Sequence, residues 1–285
     1  MPRNYIDGPV DRVKSGRRPA SDRAAWKNHL VATTSEFVGT FLFLYMGYAG
    51  HQMAVDQEAQ TGPNGNRSAQ TVIYIALAYG FSFLVTVWTL YRVSGGLFNP
   101  AITFALCITR NLSWIRGLLF FVAQILGAMA AAALVESMTP GGIETTRTRL
   151  APGMTVARGV FFEMFLTALV TLTVLMLACE KSKDTYVAPI GIGLSFFVAE
   201  IAGVYYTGGS LNPARSFGSC VADASFEGEH WIYWVGPFLG AAVAAGYWYF
   251  IKYLHYEDVN PGQDDNSKEN AHRDNNADRV DGGEV

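Results

Sequence analysis

Six stretches of this chain are each long and apolar enough to cross a lipid bilayer as a helix, near residues 30–52, 70–91, 114–135, 156–178, 187–206 and 231–254. A crossing takes roughly 20 predominantly apolar residues, because at about 1.5 Å per residue that length matches a hydrocarbon core of about 30 Å. Inside lipid every backbone N–H and C=O must find its partner within the protein, so each run has to be helical. Helices of a soluble protein keep a polar face, and these runs have none. Gly and Ala recur within them, as expected where helices approach closely in lipid. The expected fold class is an all-α membrane protein.

Half of the residues are hydrophobic and 16% are charged, against about 25% charged in a soluble domain. The charges gather at the ends and in the connections. Residues 1–29 are polar and basic (Arg3, Arg12, Lys14, Arg17, Arg18, Arg23, Lys27) and lack the apolar core of a signal peptide. Residues 256–285 are rich in Asp, Asn, Glu and Gly, and are expected to stay disordered because they hold too little apolar surface to bury. Both segments read as flexible tails around a membrane domain of residues 30–255. An even number of spans puts both tails on one side. The basic N-terminal segment, with Arg110, Arg116, Lys181 and Lys183, assigns that side to the cytoplasm. Arg147, Arg149 and Arg158 on the other side oppose the assignment but are fewer. The plasma membrane is the expected location. The sequon Asn66-Arg67-Ser68 falls in the connection 53–69 on the far side, where Asn66 is a glycosylation candidate.

A net charge of −3 offers no attraction for nucleic acid. Cys107, Cys179 and Cys220 are widely separated and form no metal-ligand or disulfide pattern. His29, His51, His230 and His255 sit near span ends and His272 in the tail, none beside a nucleophile that it could activate. No enzyme, cofactor or metal is expected.

The chain also repeats itself. Asn-Pro-Ala occurs at Asn99-Pro100-Ala101 and again at Asn212-Pro213-Ala214, the second copy followed by Arg215. Glu36 and Thr40 in the first half match Glu163 and Thr167 in the second, and residues 78–82 match 191–195 at the same distance before their tripeptides. Each half, about 30–136 and 155–255, holds three spans, so the second enters from the opposite side: an inverted-topology repeat. The segments 99–109 and 212–222 are apolar but only 11 residues long, roughly 16 Å as helix and about half of the hydrocarbon core. Asn is a strong N-cap and Pro is favoured at the first helical position. The pattern predicts two re-entrant half-helices meeting mid-membrane with their positive dipole ends at one spot. Amides of Asn99 and Asn212 there would offer donors to a passing neutral oxygen while the dipoles repel cations.

On Asn99-Pro100-Ala101, Asn212-Pro213-Ala214-Arg215, the paired Glu36 and Glu163 and the stretch 234–240 (WVGPFLG), the chain resembles the aquaporins of the major intrinsic protein family over about residues 30–255. The resemblance implies six tilted helices around one pore per protomer, a homotetramer in the lipid bilayer, and Glu36 and Glu163 as braces of the two re-entrant loops. It also implies a constriction of four positions, here Tyr79, Glu200, Gly209 and Arg215. Tyr79 and Arg215 suit a water channel; Glu200 stands where water channels carry His, and Gly209 is the smallest possible choice. Glu200 is expected to pair with Arg215 along the wall, with a pair across the lumen or a rotation away from it as the other outcomes. Ser216, Cys220, Tyr233 and Trp234 occupy positions at which glycerol channels carry other residues, so the implied permeant is water. Hydrogen peroxide, near water in size and hydrogen bonding, is the second expected solute.

Overall fold

The computed structural model describes residues 22–61, 68–180 and 182–260. Among these are eight α-helices: α1 (Asp22–Thr61), α2 (Ala69–Leu90), α3 (Pro100–Ile108), α4 (Trp114–Met138), α5 (Val156–Val174), α6 (Ala188–Thr207), α7 (Pro213–Ala222) and α8 (Ile232–Tyr253). All but α3 and α7 are long and apolar enough to cross a membrane. The protein is an integral, multi-pass membrane protein, and the two short helices fall where the half-helices are expected.

Local sequence explains the boundaries. Ser68, Ser113 and Thr155 each cap a helix start, the hydroxyl accepting an amide of the first turn. Gly208 ends α6 in the left-handed conformation, φ 84°. A π-helical turn, Leu175–Cys179, extends α5.

Two expectations need correction. The first helix is not confined to 30–52: it runs from Asp22 to Thr61, 40 residues, about 60 Å and twice the hydrocarbon thickness. Its flanks hold Ala, Lys, Gln and Glu and no Gly or Pro, so nothing ends the helix at the membrane surface. Residues 22–29 are therefore helical. At the other end, Tyr256–Asp258 form a 3₁₀ turn, with Tyr256 Oη 3.3 Å and Lys252 Nζ 3.0 Å from Glu180 Oε2, and Lys252 also bound to Glu257 at 2.6 Å. Order thus continues past 255. Asn66 and the tail residues 1–21 and 261–285 lie outside the described residues.

Contacts between and within the halves follow the repeat. Gly80 of α2 faces α6, where an added Cβ would stand 2.5 Å from Phe197 Cβ; Gly193 of α6 faces α2, where it would stand 2.7 Å from Leu84 Cα. Counted back from the two asparagines, Gly80 matches Gly193 and Leu84 matches Phe197. Gly127 of α4 meets Phe37 O and Thr40 of α1, and Gly240 of α8 meets the matching Met164 O and Thr167 of α5. Phe83 and Phe196, also mates, bring their rings to 5.0 Å at the centre, with Phe43 4.9 Å from the first and 5.6 Å from the second. Small residues thus set the helix separation, as lipid demands. Gly193→Ala is expected to lower stability by about 1–3 kcal/mol through overpacking, read as a lower unfolding midpoint in detergent. Gly246→Ala, at a position with nothing within 4 Å, should leave the midpoint in place.

Candidate functional site

The N-termini of α3 and α7 meet in the centre. Asn99 Oδ1 accepts from Ala101 N at 2.9 Å, and its Nδ2 donates to Leu211 O at 2.9 Å. Asn212 Oδ1 accepts from Ala214 N at 3.0 Å, and its Nδ2 donates to Phe98 O at 2.8 Å. Each asparagine therefore caps its own helix and latches onto the loop of the other. Pro100 and Pro213 take the first helical position, and Ala101 and Ala214 are buried beneath them.

To offer those carbonyls, Phe98 and Leu211 adopt left-handed backbone, φ 48° and 51°, a strain of about 1–3 kcal/mol each. Two buried carboxylates hold them there. Glu36 accepts from Ser94 Oγ (2.6 Å), Leu97 N (3.1 Å), Phe98 N (2.8 Å) and Gln124 Nε2 (2.8 Å). Glu163 accepts from Thr207 Oγ1 (2.6 Å), Ser210 N (2.9 Å) and Leu211 N (2.8 Å). The donors match across the repeat, except that Gln124, which also reaches Thr103, corresponds by offset to Pro237.

Arg215, three residues past Asn212, is fully buried. Its Nη1 donates to Thr146 O at 2.5 Å, and its Nη2 to Tyr79 Oη at 2.9 Å and Gly208 O at 3.4 Å. The guanidinium carbon lies 4.8 Å from the Tyr79 ring centroid, and Tyr48 Oη donates to the Arg215 carbonyl. The Tyr79 ring fits against Gly47, and its hydroxyl also stands 3.4 Å from His51 Nδ1.

Glu200 departs from expectation. It has no ion pair with Arg215, and neither carboxylate oxygen has a hydrogen-bond partner although the residue is fully buried. Two backbone carbonyls and the Tyr79 phenol take Nη1 and Nη2 of Arg215, while its Nε is buried without a hydrogen-bond partner. Glu200 instead folds onto Gly209: a Cβ there would collide with Glu200 Oε2 and lie 3.0 Å from its Cδ. Gly209 has φ 59°, so its lack of a side chain serves both the backbone and the carboxyl group. The structure brings Tyr79 and Gly208 to Arg215 and Glu200 to Gly209; all four predicted residues are buried.

Of the four remaining positions, Ser216 and Cys220 lie on α7 and Tyr233 and Trp234 on α8. Ser216 Oγ lies 2.6 Å from Ser210 Oγ and 2.9 Å from Thr148 Oγ1. Tyr233 Oη donates to Thr207 O at 2.9 Å. His230 joins the other two: Trp234 Nε1 donates to its Nε2 at 3.1 Å, and Cys220 Sγ is 3.6 Å from its Nδ1.

Sequence reasoning missed the segment between α4 and α5. Thr146 and Thr148 face inward, to Arg215 and Ser216, while Arg147 and Arg149 meet Asp223, Glu144 and Glu227. The alternation Thr-Arg-Thr-Arg was a usable signal of buried and charged positions taking turns, although Thr146 closes a 3₁₀ turn and reaches Arg215 through its backbone carbonyl. It also explains why these arginines opposed the charge rule: acids neutralise them locally. Burial and the neighbouring Glu144 carboxylate hold the Asp223 carboxyl above its usual range. Among the described residues no cluster of His, Cys, Asp and Glu could hold a metal.

The family profile described as major intrinsic protein matches residues 23–249. Probable aquaporin-3 of Gibberella zeae is 60% identical over 236 residues, covering 83% of this chain and 82% of that protein. Aquaporin-7 of Botryotinia fuckeliana is 49% identical over 265 residues, covering 89% of this chain and 58% of that protein. In structure, the aquaglyceroporin from Plasmodium falciparum aligns with a TM-score of 0.65 at 22% identity, covering 77% of this chain and 95% of that one. At that identity the likeness is one of fold.

Proposed function

The chain belongs to the major intrinsic protein family, whose members are membrane channels and not enzymes, and on that premise we propose that it is a passive water channel with one pore per protomer. The reciprocal asparagine latch carries this reading. Each Nδ2 uses one hydrogen on the opposite loop, and an amide nitrogen has two, so each keeps a donor for a passing oxygen. Two helix N-termini aimed at one point oppose cations and protons. Tyr79, Glu200, Gly209 and Arg215 form the constriction, with Arg215 supplying a fixed positive charge. Ser216, Cys220, Tyr233 and Trp234 favour water over glycerol. The protein works in a homotetramer with both termini in the cytoplasm, at the plasma membrane.

One observation supports a second reading, a hydrogen peroxide facilitator with weak water flux or a constricted pore. Glu200 is folded onto Gly209 with both at the constriction and without water-sized exposure. In that position the carboxyl group narrows the passage.

Stopped-flow swelling of proteoliposomes with water, peroxide and glycerol separates these readings. We expect water flux well above that of empty vesicles and glycerol flux far below it. Glu200→His should raise water flux severalfold, and Glu200→Gln should raise it less, because the amide keeps the bulk of the acid. Glycerol moving as fast as water would overturn the water reading. Unchanged fluxes in both variants would remove Glu200 from the constriction.

A further inference from the structure

We propose that Arg147 is a positioning residue for Arg215, acting through an ion-pair clamp that holds the Thr146 carbonyl over the guanidinium. This rests on the placement of Arg215 in the constriction proposed above. Arg215 sits at the start of α7, and Asp223 caps the end of the same helix. Arg147 Nε lies 2.7 Å from Asp223 Oδ2, and Arg147 Nη1 lies 3.5 Å from Glu227 Oε1 and also donates to Ser225 Oγ. Arg149 repeats the tie, with Nε 2.8 Å from Glu227 Oε1 and Nη2 3.1 Å from Glu144 Oε1. Residues 144–149 are thus fastened outward to the far end of α7 and inward, through Thr146 O and Thr148 Oγ1, to its first turn.

The position of Thr146 O follows from this double attachment. The segment is otherwise irregular, with one 3₁₀ turn at Glu144–Thr146, so no helix or sheet ladder fixes that carbonyl. Arg147 is 8% exposed, which distinguishes its pair from surface ion pairs of little consequence. Losing the clamp frees the Thr146 carbonyl, and Nη1 of Arg215 then loses its partner on that wall. The guanidinium gains room to swing, and the aperture it defines is no longer held at one size.

The measurement is the ratio of glycerol to water permeability in proteoliposomes, each normalised to folded protein. Arg147→Gln and Asp223→Asn should each raise the ratio severalfold, whereas Arg147→Lys, which keeps the charge, should stay near wild type. A purely structural role would change the amount of folded protein and scale both fluxes together, leaving the ratio fixed. If Arg215→Val raises the ratio while Arg147→Gln and Asp223→Asn leave it unchanged, the clamp proposal is overturned and the constriction stands. If Arg215→Val leaves it unchanged as well, the constriction assignment fails and the clamp with it. Should Asp223→Asn not fold, Arg147→Gln against Arg147→Lys decides alone.

Discussion

Glu163→Leu is expected to yield almost no folded protein. The carboxylate accepts from Thr207, Ser210 and Leu211, and leucine would leave the two backbone amides buried without a partner, while Thr207 Oγ1 keeps Gly203 O. Hydrogen bonds to a charged group contribute about 1.5–3 kcal/mol each, and a whole protein is stable by only about 5–15 kcal/mol. The loss also releases the left-handed Leu211, whose carbonyl holds Asn99. Glu36→Leu should fail in the same way, since Leu97, Phe98, Ser94 and Gln124 converge on it. Glu163→Gln should fold partly, because its carbonyl oxygen still accepts while its NH₂ opposes a donor. Size-exclusion yield and the unfolding midpoint in detergent check this. A wild-type yield and midpoint for Glu163→Leu would mean that the carboxylate does not hold the loop.

Arg215→Val is expected to weaken selectivity rather than folding. A unit charge acting over about 4 Å at an effective dielectric of about 20 is worth about 4 kcal/mol. That is an upper bound of roughly three decades on a cation barrier. We expect cation or proton leak to rise by at least tenfold. A planar-bilayer conductance that stays at the wild-type value in Arg215→Val would show that the half-helix dipoles suffice without the arginine.

Much of the architecture was legible because its signals are local. Apolar length marks a span, and Asn-Pro marks a helix start regardless of what the helix later meets. The repeat was legible because matched residues keep equal distances from Asn99 and Asn212, and the reciprocal glycine contacts show the same register in three dimensions. The ends of α1 were less legible, since helix formers outside the membrane carry no apolar signal.

The constriction divides along the same line. The family resemblance, carried by offsets from Asn99 and Asn212, named Tyr79, Glu200, Gly209 and Arg215, and the placement of Arg215 just past a helix start follows from Asn212-Pro213. What Arg215 binds could not be read in that way. Its partners, Thr146, Gly208 and Tyr79, come from three separate stretches of chain, and no local pattern links them. The expected attraction between Glu200 and Arg215 was sound as electrostatics, yet it lost to partners that folding brings closer. So the sequence by itself determined the spans, the inverted repeat and the two capped half-helices, because each depends on length, period or a short motif. Only the tertiary structure decided which groups hold Arg215 and where Glu200 rests, because hydrogen-bond partners are assigned by proximity after the helices have packed.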